Sequence, residues 1–337
     1  MGEVFDNMRE VYLGIDLGAT KMLAVLMDED GRILAKEKRP TLPERGPDDV
    51  IGRLIDLGQS LMNETFPGEQ GLHAVRGIGV AVAGVIEPES GAVSLATNLG
   101  WKNVELGRRL MERFPCRVLI MNDANAAALG EWKFGEGAGS DDMIYISVST
   151  GIGAGMVSGG RLILGSTHSA AELGHISIDP EGPPCFCGNR GCVEMYTAGH
   201  SIAQKAREAI HQHLPGSSDI LALAGSDPDL VTAEHVAAAA KSGNVLAVRL
   251  LAEAGTALGR GLVTLVHLMN PEVVVLGGSV SKSGPPLFEP MLETVRRYGI
   301  PGLVGHVRFA ESSLGEKAAA MGAAFWCREH QHSLTAV

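Results

Sequence analysis

One stretch of this chain occurs twice. Tyr12–Leu34 reads YLGIDLGATKMLAVLMDEDGRIL, and Ile144–Leu164 reads IYISVSTGIGAGMVSGGRLIL. Each copy spells an apolar run, a Gly/Thr turn, a second apolar run, a tight turn ending in Gly-Arg, and a third run. Matching Gly18 to Gly151 leaves the second copy shorter by about four residues at the far turn. A later pair, Gly77–Gly84 (GIGVAVAG) and Val273–Gly278 (VVVLGG), reads as two apolar strands ending in small residues. A chain that repeats a β-rich unit is expected to fold as two similar lobes around a cleft. Hairpins with glycine turns also look alike by chance, and that alternative stays open at this point.

At 337 residues the chain has room for two domains or one large one. Hydrophobic residues make up 45% and charged residues 20%, with mean hydropathy +0.12, which excludes a disordered acidic chain. The net charge of −11 argues against nucleic acid or an anionic membrane as the main partner. No apolar run approaches the roughly 18–20 residues of a membrane span. The first ten residues carry Glu3, Asp6 and Glu10 and no apolar core of a signal peptide. A cytoplasmic protein is therefore expected. Of the 5 cysteines, Cys185, Cys187 and Cys192 crowd together, while Cys116 and Cys327 stand alone. In a reducing compartment such a cluster points to metal rather than disulfides.

The remaining pattern alternates strands and helices, the α/β signature. Strands are expected at Val11–Asp16, Met22–Asp28, Arg32–Lys38, Gly77–Val82 and Arg117–Met121, with helical spacing over Asp48–Phe66 and an alanine-rich helix beginning at Ala124. The linker between lobes falls near Asp123–Asp142, with Gly135–Asp142 as its loop. Gly315–Trp326 is small, apolar and helical, suited to packing back on the first lobe. The expected domains are thus 1–122 plus 315–337, and 123–314.

Four places carry candidate chemistry. In Asp16-Leu17-Gly18-Ala19-Thr20-Lys21, small residues let backbone approach a ligand. Its N–H groups, the Thr20 hydroxyl and the Lys21 ammonium suit phosphate oxygens, and Asp16 suits a magnesium ion held through water. The turn lacks the Walker A spacing, and an ordinary hairpin turn is the other reading. Ser149–Gly155, containing Thr150 and Gly151, is the matching turn of the second copy, with three glycines and no charge. Asn122-Asp123 closes a strand and opens a helix. Asp123 reads either as a helix cap or as a base for phosphoryl transfer, kept ionised by the helix dipole. Finally, His175, Cys185, Cys187 and Cys192 form H-x9-C-x-C-x4-C with prolines and glycines between them. That set suits a closed, structural zinc site; three free cysteines in a loop are the alternative. Glu172 and Glu194 flank it, and a metal-pinned loop would hold their carboxylates for sugar hydroxyls.

These motifs together resemble the ROK family (repressors, open reading frames and sugar kinases), particularly its bacterial glucokinases. The resemblance runs from Gly14 to about Phe325 and rests on GIDLGATK, TNLGW, NDANAAALGE, STGIGAG, AELGH and CFCGNRGCVE. It implies the actin-like, hexokinase-type ATPase fold and an ATP- and Mg²⁺-dependent hexose kinase with a structural Zn²⁺. By this resemblance Asp123 takes the proton of the sugar 6-hydroxyl. Asn98, Asn122, Glu172, His175 and Glu194 contact the sugar, His175 serving zinc and sugar with its two ring nitrogens. Asp16, Gly18, Thr20, Lys21, Thr150 and Gly151 match the phosphate turns, and Gly277 and Gly278 match a glycine pair near the nucleotide. Glucose is the expected sugar, with N-acetylglucosamine or N-acetylmannosamine as alternatives and a non-catalytic sugar sensor as a further one. A homodimer or homotetramer is the expected assembly. Ala19 and Ala171 stand where the family commonly has glycine. About ten residues precede the first strand, so the repressors' DNA-binding domain is not expected.

Overall fold

The computed structural model describes residues 10–67 and 75–330. The chain divides into two compact units: residues 1–139, 162–170 and 313–337 form the first, and 140–161 with 171–312 the second. The first unit is built on a five-stranded sheet of β1 (Val11–Leu17), β2 (Lys21–Asp28), β3 (Ile33–Pro40), β4 (Val75–Val82) and β8 (Arg117–Asn122) in the order β3-β2-β1-β4-β8. A small antiparallel sheet of β5 (Val85–Ile86), β6 (Val93–Ala96) and β7 (Trp101–Val104) lies between β4 and β8 in the chain. The second unit has β9 (Met143–Val148), β10 (Ile152–Ser158), β11 (Arg161–Leu162), β12 (Val273–Gly277) and β13 (Arg308–Glu311) in the order β11-β10-β9-β12-β13.

The two sheets share one topology. In each, the first strand pairs antiparallel with the second, β1 with β2 and β9 with β10. In each, it also pairs parallel with a later strand, β4 or β12, which pairs parallel with the last. The sequence echo is therefore a duplicated β-rich unit, and Gly77–Gly84 and Val273–Gly278 are its corresponding strands.

The side chains follow from these pairings. The interior strands β1, β2 and β4 are buried along nearly their whole length, so they read as continuous apolar runs. The edge strand β3 alternates instead. The helix Pro47–Thr65 begins with Pro47 and the acids Asp48 and Asp49, all favoured in a first turn. It buries Val50, Ile51, Leu54, Leu57, Leu61 and Met62 at helical spacing, and Gly58 lets it approach Leu13 and Ile15 of β1. The other face of the sheet is covered by the helix Ala318–Glu329, whose carbonyls lie directly over Gly14 and Gly79. The same helix meets the helix Asp123–Phe134 through Gly322 on Ala126 and Gly130 on Ala318. That contact keeps Asp123–Phe134 in the first unit, so the boundary expected before Asp123 falls inside it. In the second unit the core gathers Ile144, Val148, Leu173, Val193, Leu250, Leu258 and Val274, with Leu250 and Leu258 supplied by the 25-residue helix Val245–Met269. No helix among the described residues is long and apolar enough to cross a membrane.

A β-carbon at Gly79 would collide with the carbonyl and following nitrogen of Ala323 and Ala324, which are backbone and cannot rotate away. Gly79→Ala is expected to destabilise the protein by about 3 kcal/mol, the upper range for overpacking. Urea unfolding should show a lower midpoint at unchanged slope; an unchanged midpoint would refute this packing.

Candidate functional site

The first group of site residues lies at the carboxyl ends of parallel strands, where ligands gather in open α/β sheets. Register places Asp16 of β1 opposite Ala81 of β4, which is opposite Met121 of β8. Asn122 and Asp123 follow at once. The carboxyl of Asp16 is raised to about 7, chiefly by burial and further by the nearby charge of Asp123, with Lys21 opposing. The two acids are therefore close enough to repel. Hard oxygen donors gathered in this way suit a hydrated Mg²⁺.

The cap of the helix Asp123–Phe134 is Asn122. Its side-chain oxygen accepts the N–H groups of Ala124 at 2.9 Å and Asn125 at 3.2 Å. Its amide donates to the Gly84 carbonyl at 3.3 Å, leaving one N–H of that amide for a ligand. Asp123 occupies the first helical position instead, where the dipole favours its charge; its Oδ1 also accepts the Ala124 N–H at 2.9 Å. The choice between cap and base that the sequence leaves open is thus relieved, because a neighbour does the capping.

The first Gly/Thr turn joins β1 to β2. The Gly18 N–H donates to the Lys21 carbonyl at 3.0 Å. Fully buried Thr41 braces the turn, its hydroxyl donating to the Gly18 carbonyl at 2.7 Å and its N–H to the Thr20 carbonyl at 3.0 Å. Lys21 pairs with Glu316 at 3.0 Å, and Lys38 joins the same carboxylate oxygen at 2.6 Å. These two lysines, Lys38 first, hold the Glu316 carboxyl down to about 2. All three side chains are solvent-exposed, so the pairing holds Lys21 weakly and an incoming phosphate can displace it. Asn98 is exposed on a short turn, Thr97–Leu99, anchored by buried Leu99 and Trp101.

The second group lies in the second unit. His175, Cys185, Cys187 and Cys192 bring one ligand atom each to within 4.8 Å of one another. The Cys185 Sγ is 3.6 Å from His175 Nδ1, and the Cys187 Sγ is 3.7 Å from the Cys192 Sγ. Zinc bonds of about 2.3 Å to sulfur and about 2.0 Å to nitrogen at tetrahedral angles require edges of about 3.6 and 3.8 Å. The cluster fits a closed metal site. Its loop is preformed by backbone bonds, Cys185 N–H to Asn189 at 2.8 Å and Gly188 N–H to Cys185 at 3.0 Å. Burial, reinforced by the neighbouring thiols, pushes the Cys192 thiol up to about 12, whereas the backbone N–H of Asn189 lowers Cys187. Because Nδ1 faces the sulfurs, Nε2 of His175 faces away from them.

Glu194 opens a short helix two residues after Cys192 and is 5% exposed. Its Oε2 accepts the N–H of Ile152 at 2.8 Å, tying the metal-flanking carboxylate to the second Gly/Thr turn. Burial raises the Glu172 carboxyl, with His175 opposing and Glu194 adding to it. Glu172, His175 and Glu194 are thus within electrostatic reach of one another. The second turn is also held at its carbonyls: the Gly199 N–H donates to Ser149 at 2.7 Å, and His200 Nδ1 to Thr150 at 2.8 Å. Gly277 and Gly278 end β12. Gly278 has φ 92° and would strike the Val148 backbone with any β-carbon, so glycine is required there. Ser149 Oγ lies 3.3 Å from Ser279 Oγ, bringing this end of β12 to the turn.

Sequence reasoning missed Thr41 and His200. Neither lies in a motif, and their partners are 23 and 50 residues away, so only the fold reveals them.

The ROK family profile matches residues 12–330. A glucokinase of Thermotoga maritima is 38% identical over 318 residues, covering 94% of this chain and 97% of its own. A ROK family glucokinase from Streptomyces griseus, solved in complex with glucose and AMPPNP, superposes with a TM-score of 0.82 at 32% identity, covering 95% of this chain and 99% of that one. A xylose repressor of Bacillus subtilis is 30% identical over 319 residues, 95% of this chain and 77% of its own.

Proposed function

The chain belongs to the ROK family, and from that premise we propose that it transfers the γ-phosphoryl group of ATP to the 6-hydroxyl of glucose. The observation that carries this reading is the placement of Asp123. It sits beside Asp16 at the strand ends, adjacent to a phosphate-type turn, with its capping duty taken by Asn122.

In this reading Asn98, Asn122, Asp123, Glu172, His175 and Glu194 are the sugar-contacting residues. Asp123 accepts the proton of the 6-hydroxyl as the hydroxyl oxygen attacks the γ-phosphorus in line and the bond from that phosphorus to the bridging oxygen breaks to release ADP; Asp123 then stays neutral until it gives that proton to water. Lys21, Thr20 and Gly18 of the first turn, and the N–H groups of Thr150 and Gly151 in the second, are the phosphate contacts in this reading, with Gly277 and Gly278 allowing close approach of the nucleotide. Asp16 would hold Mg²⁺ through water, and the ion would supply charge neutralisation on the phosphates. His175 would bind zinc through Nδ1, which would fix the proton on Nε2 and make that nitrogen a donor to the sugar. With His175, Cys185, Cys187 and Cys192 as its four ligands, such a zinc would be structural, no position being left open. A sensor without catalysis would have no use for the Asp16–Asp123 pair or the two phosphate turns, and their geometry favours the kinase.

The sugar itself is tested by a panel of hexoses with ATP, read as ADP release. Glu172, His175 and Glu194, gathered on one metal-braced segment, address the 1- and 2-hydroxyl end of the ring. An acetamido group at that end needs a wider pocket. Glucose is expected to give the highest kcat/KM, with the 2-acetamido sugars at least ~10-fold lower, about 1.4 kcal/mol in transition-state binding. An N-acetylhexosamine that outperforms glucose would keep the kinase and discard the glucose assignment.

A further inference from the structure

The two Gly/Thr turns are held in the same way by residues of no recognised motif, and the shared device is the orientation of peptide planes. In a trans peptide the carbonyl of one residue and the N–H of the next point in opposite directions. Fixing the carbonyl therefore aims the N–H. In the first unit the Thr41 hydroxyl donates to the carbonyl of Gly18 at 2.7 Å. The N–H in that plane belongs to Ala19, and it has no acceptor among the described residues. In the second unit His200 Nδ1 donates to the carbonyl of Thr150 at 2.8 Å, and the N–H in that plane belongs to Gly151. The neighbouring plane is set likewise by the Gly199 N–H on the Ser149 carbonyl at 2.7 Å, which aims the Thr150 N–H. Neither the Thr150 nor the Gly151 N–H has an acceptor among the described residues, whereas the next one, Ile152, is taken by Glu194.

We propose that Thr41 and His200 are positioning residues of the nucleotide site. They hold the Gly18 and Thr150 carbonyls back so that the N–H group of Ala19 in one turn, and those of Thr150 and Gly151 in the other, stay open to phosphate oxygens of the nucleotide. Backbone N–H groups presented together form an anion-binding concavity, and unpaired N–H groups persist in a folded protein only where water or a ligand meets them. This inference rests on the kinase reading and adds two residues to it. Neither residue contacts the nucleotide; each acts through a carbonyl.

The test is titration of the intact protein with magnesium and AMPPNP in the absence of sugar, alongside KM for ATP and for glucose. Thr41→Val keeps shape and removes the hydroxyl; Thr41→Ser keeps it. His200→Ala removes the ring; His200→Asn places an amide donor where Nδ1 was. The Val and Ala variants are expected to bind AMPPNP about 10-fold more weakly. Their KM for ATP should rise in step, KM for glucose should stay within about twofold, and the Ser and Asn variants should restore nucleotide affinity. Buried Thr41 tolerates change less than exposed His200, so His200→Ala decides the matter if Thr41→Val fails to fold. Wild-type nucleotide affinity in His200→Ala, or equal losses for sugar and nucleotide, would overturn the positioning role and leave the kinase standing. Wild-type protein that does not bind AMPPNP would overturn both.

Discussion

Asp123→Asn is expected to lower kcat at least about 1,000-fold while changing glucose affinity less than about threefold, within the range of general-base contributions. The amide has the shape of the carboxylate and can still accept the Ala124 N–H, a bond of 2.9 Å in the native protein. Because the cap belongs to Asn122, the helix does not depend on the lost charge. What disappears is the acceptor for the 6-hydroxyl proton. Steady-state kinetics together with glucose titration separates these effects: an interaction made only in the transition state lowers kcat and leaves binding intact. Near-normal turnover would return Asp123 to a purely local role at the helix start.

Cys192→Ser should produce the largest loss of stability. Cys192 is fully buried in the cluster with His175, Cys185 and Cys187. Wild-type protein is expected to carry one zinc ion per chain by elemental analysis, and the variant well under half of that. A closed zinc site contributes its binding energy to folding. Losing it should lower Tm by roughly 10 °C or more in a unit of this size. Glucose affinity should fall as well, since Val193 is the only residue between Cys192 and Glu194. Exposed Cys187 lies at the rim of the cluster, and Cys187→Ser should lower Tm less. Fully active wild-type protein devoid of zinc would defeat the assignment.

Much of this site is local in the chain and for that reason legible from sequence. The two strand–turn–strand units announce themselves because a β-strand, a glycine turn and a returning strand are contiguous, and their repetition implies the shared topology seen in the two sheets. The four cluster residues lie within one short segment, so their spacing suits a tetrahedral set, and the fold brings their ligand atoms to within 4.8 Å of one another. Asn98 is legible only through the family motif around it, since an exposed asparagine on a turn has no chemical signature of its own. The division into units is less legible. The membership of Asp123–Phe134 depends on small residues meeting Ala318 and Gly322 from the far end of the chain, and alanines in one helix do not say which helix they will meet. The braces on the two turns are hidden for the same reason. A threonine or histidine that reaches a distant carbonyl looks like any other surface or loop residue until the fold brings the carbonyl to it.

The covering helix Ala318–Glu329 also imposes an order on how the protein is made. Its carbonyls close over Gly14 and Gly79, residues synthesised near the beginning of the chain. At about 5–20 residues per second on the ribosome, roughly 10–40 s separate the emergence of β8 from that of this helix. During that interval the first sheet has all its strands but only one of its two covering layers. Strands β9 to β13, by contrast, are all synthesised before the helix appears. In order of synthesis the strands of the second unit are therefore complete before the first unit has its second covering layer, and until then the first keeps an apolar, glycine-lined sheet face uncovered. The unit that holds the earlier strands is the one whose layers are completed last.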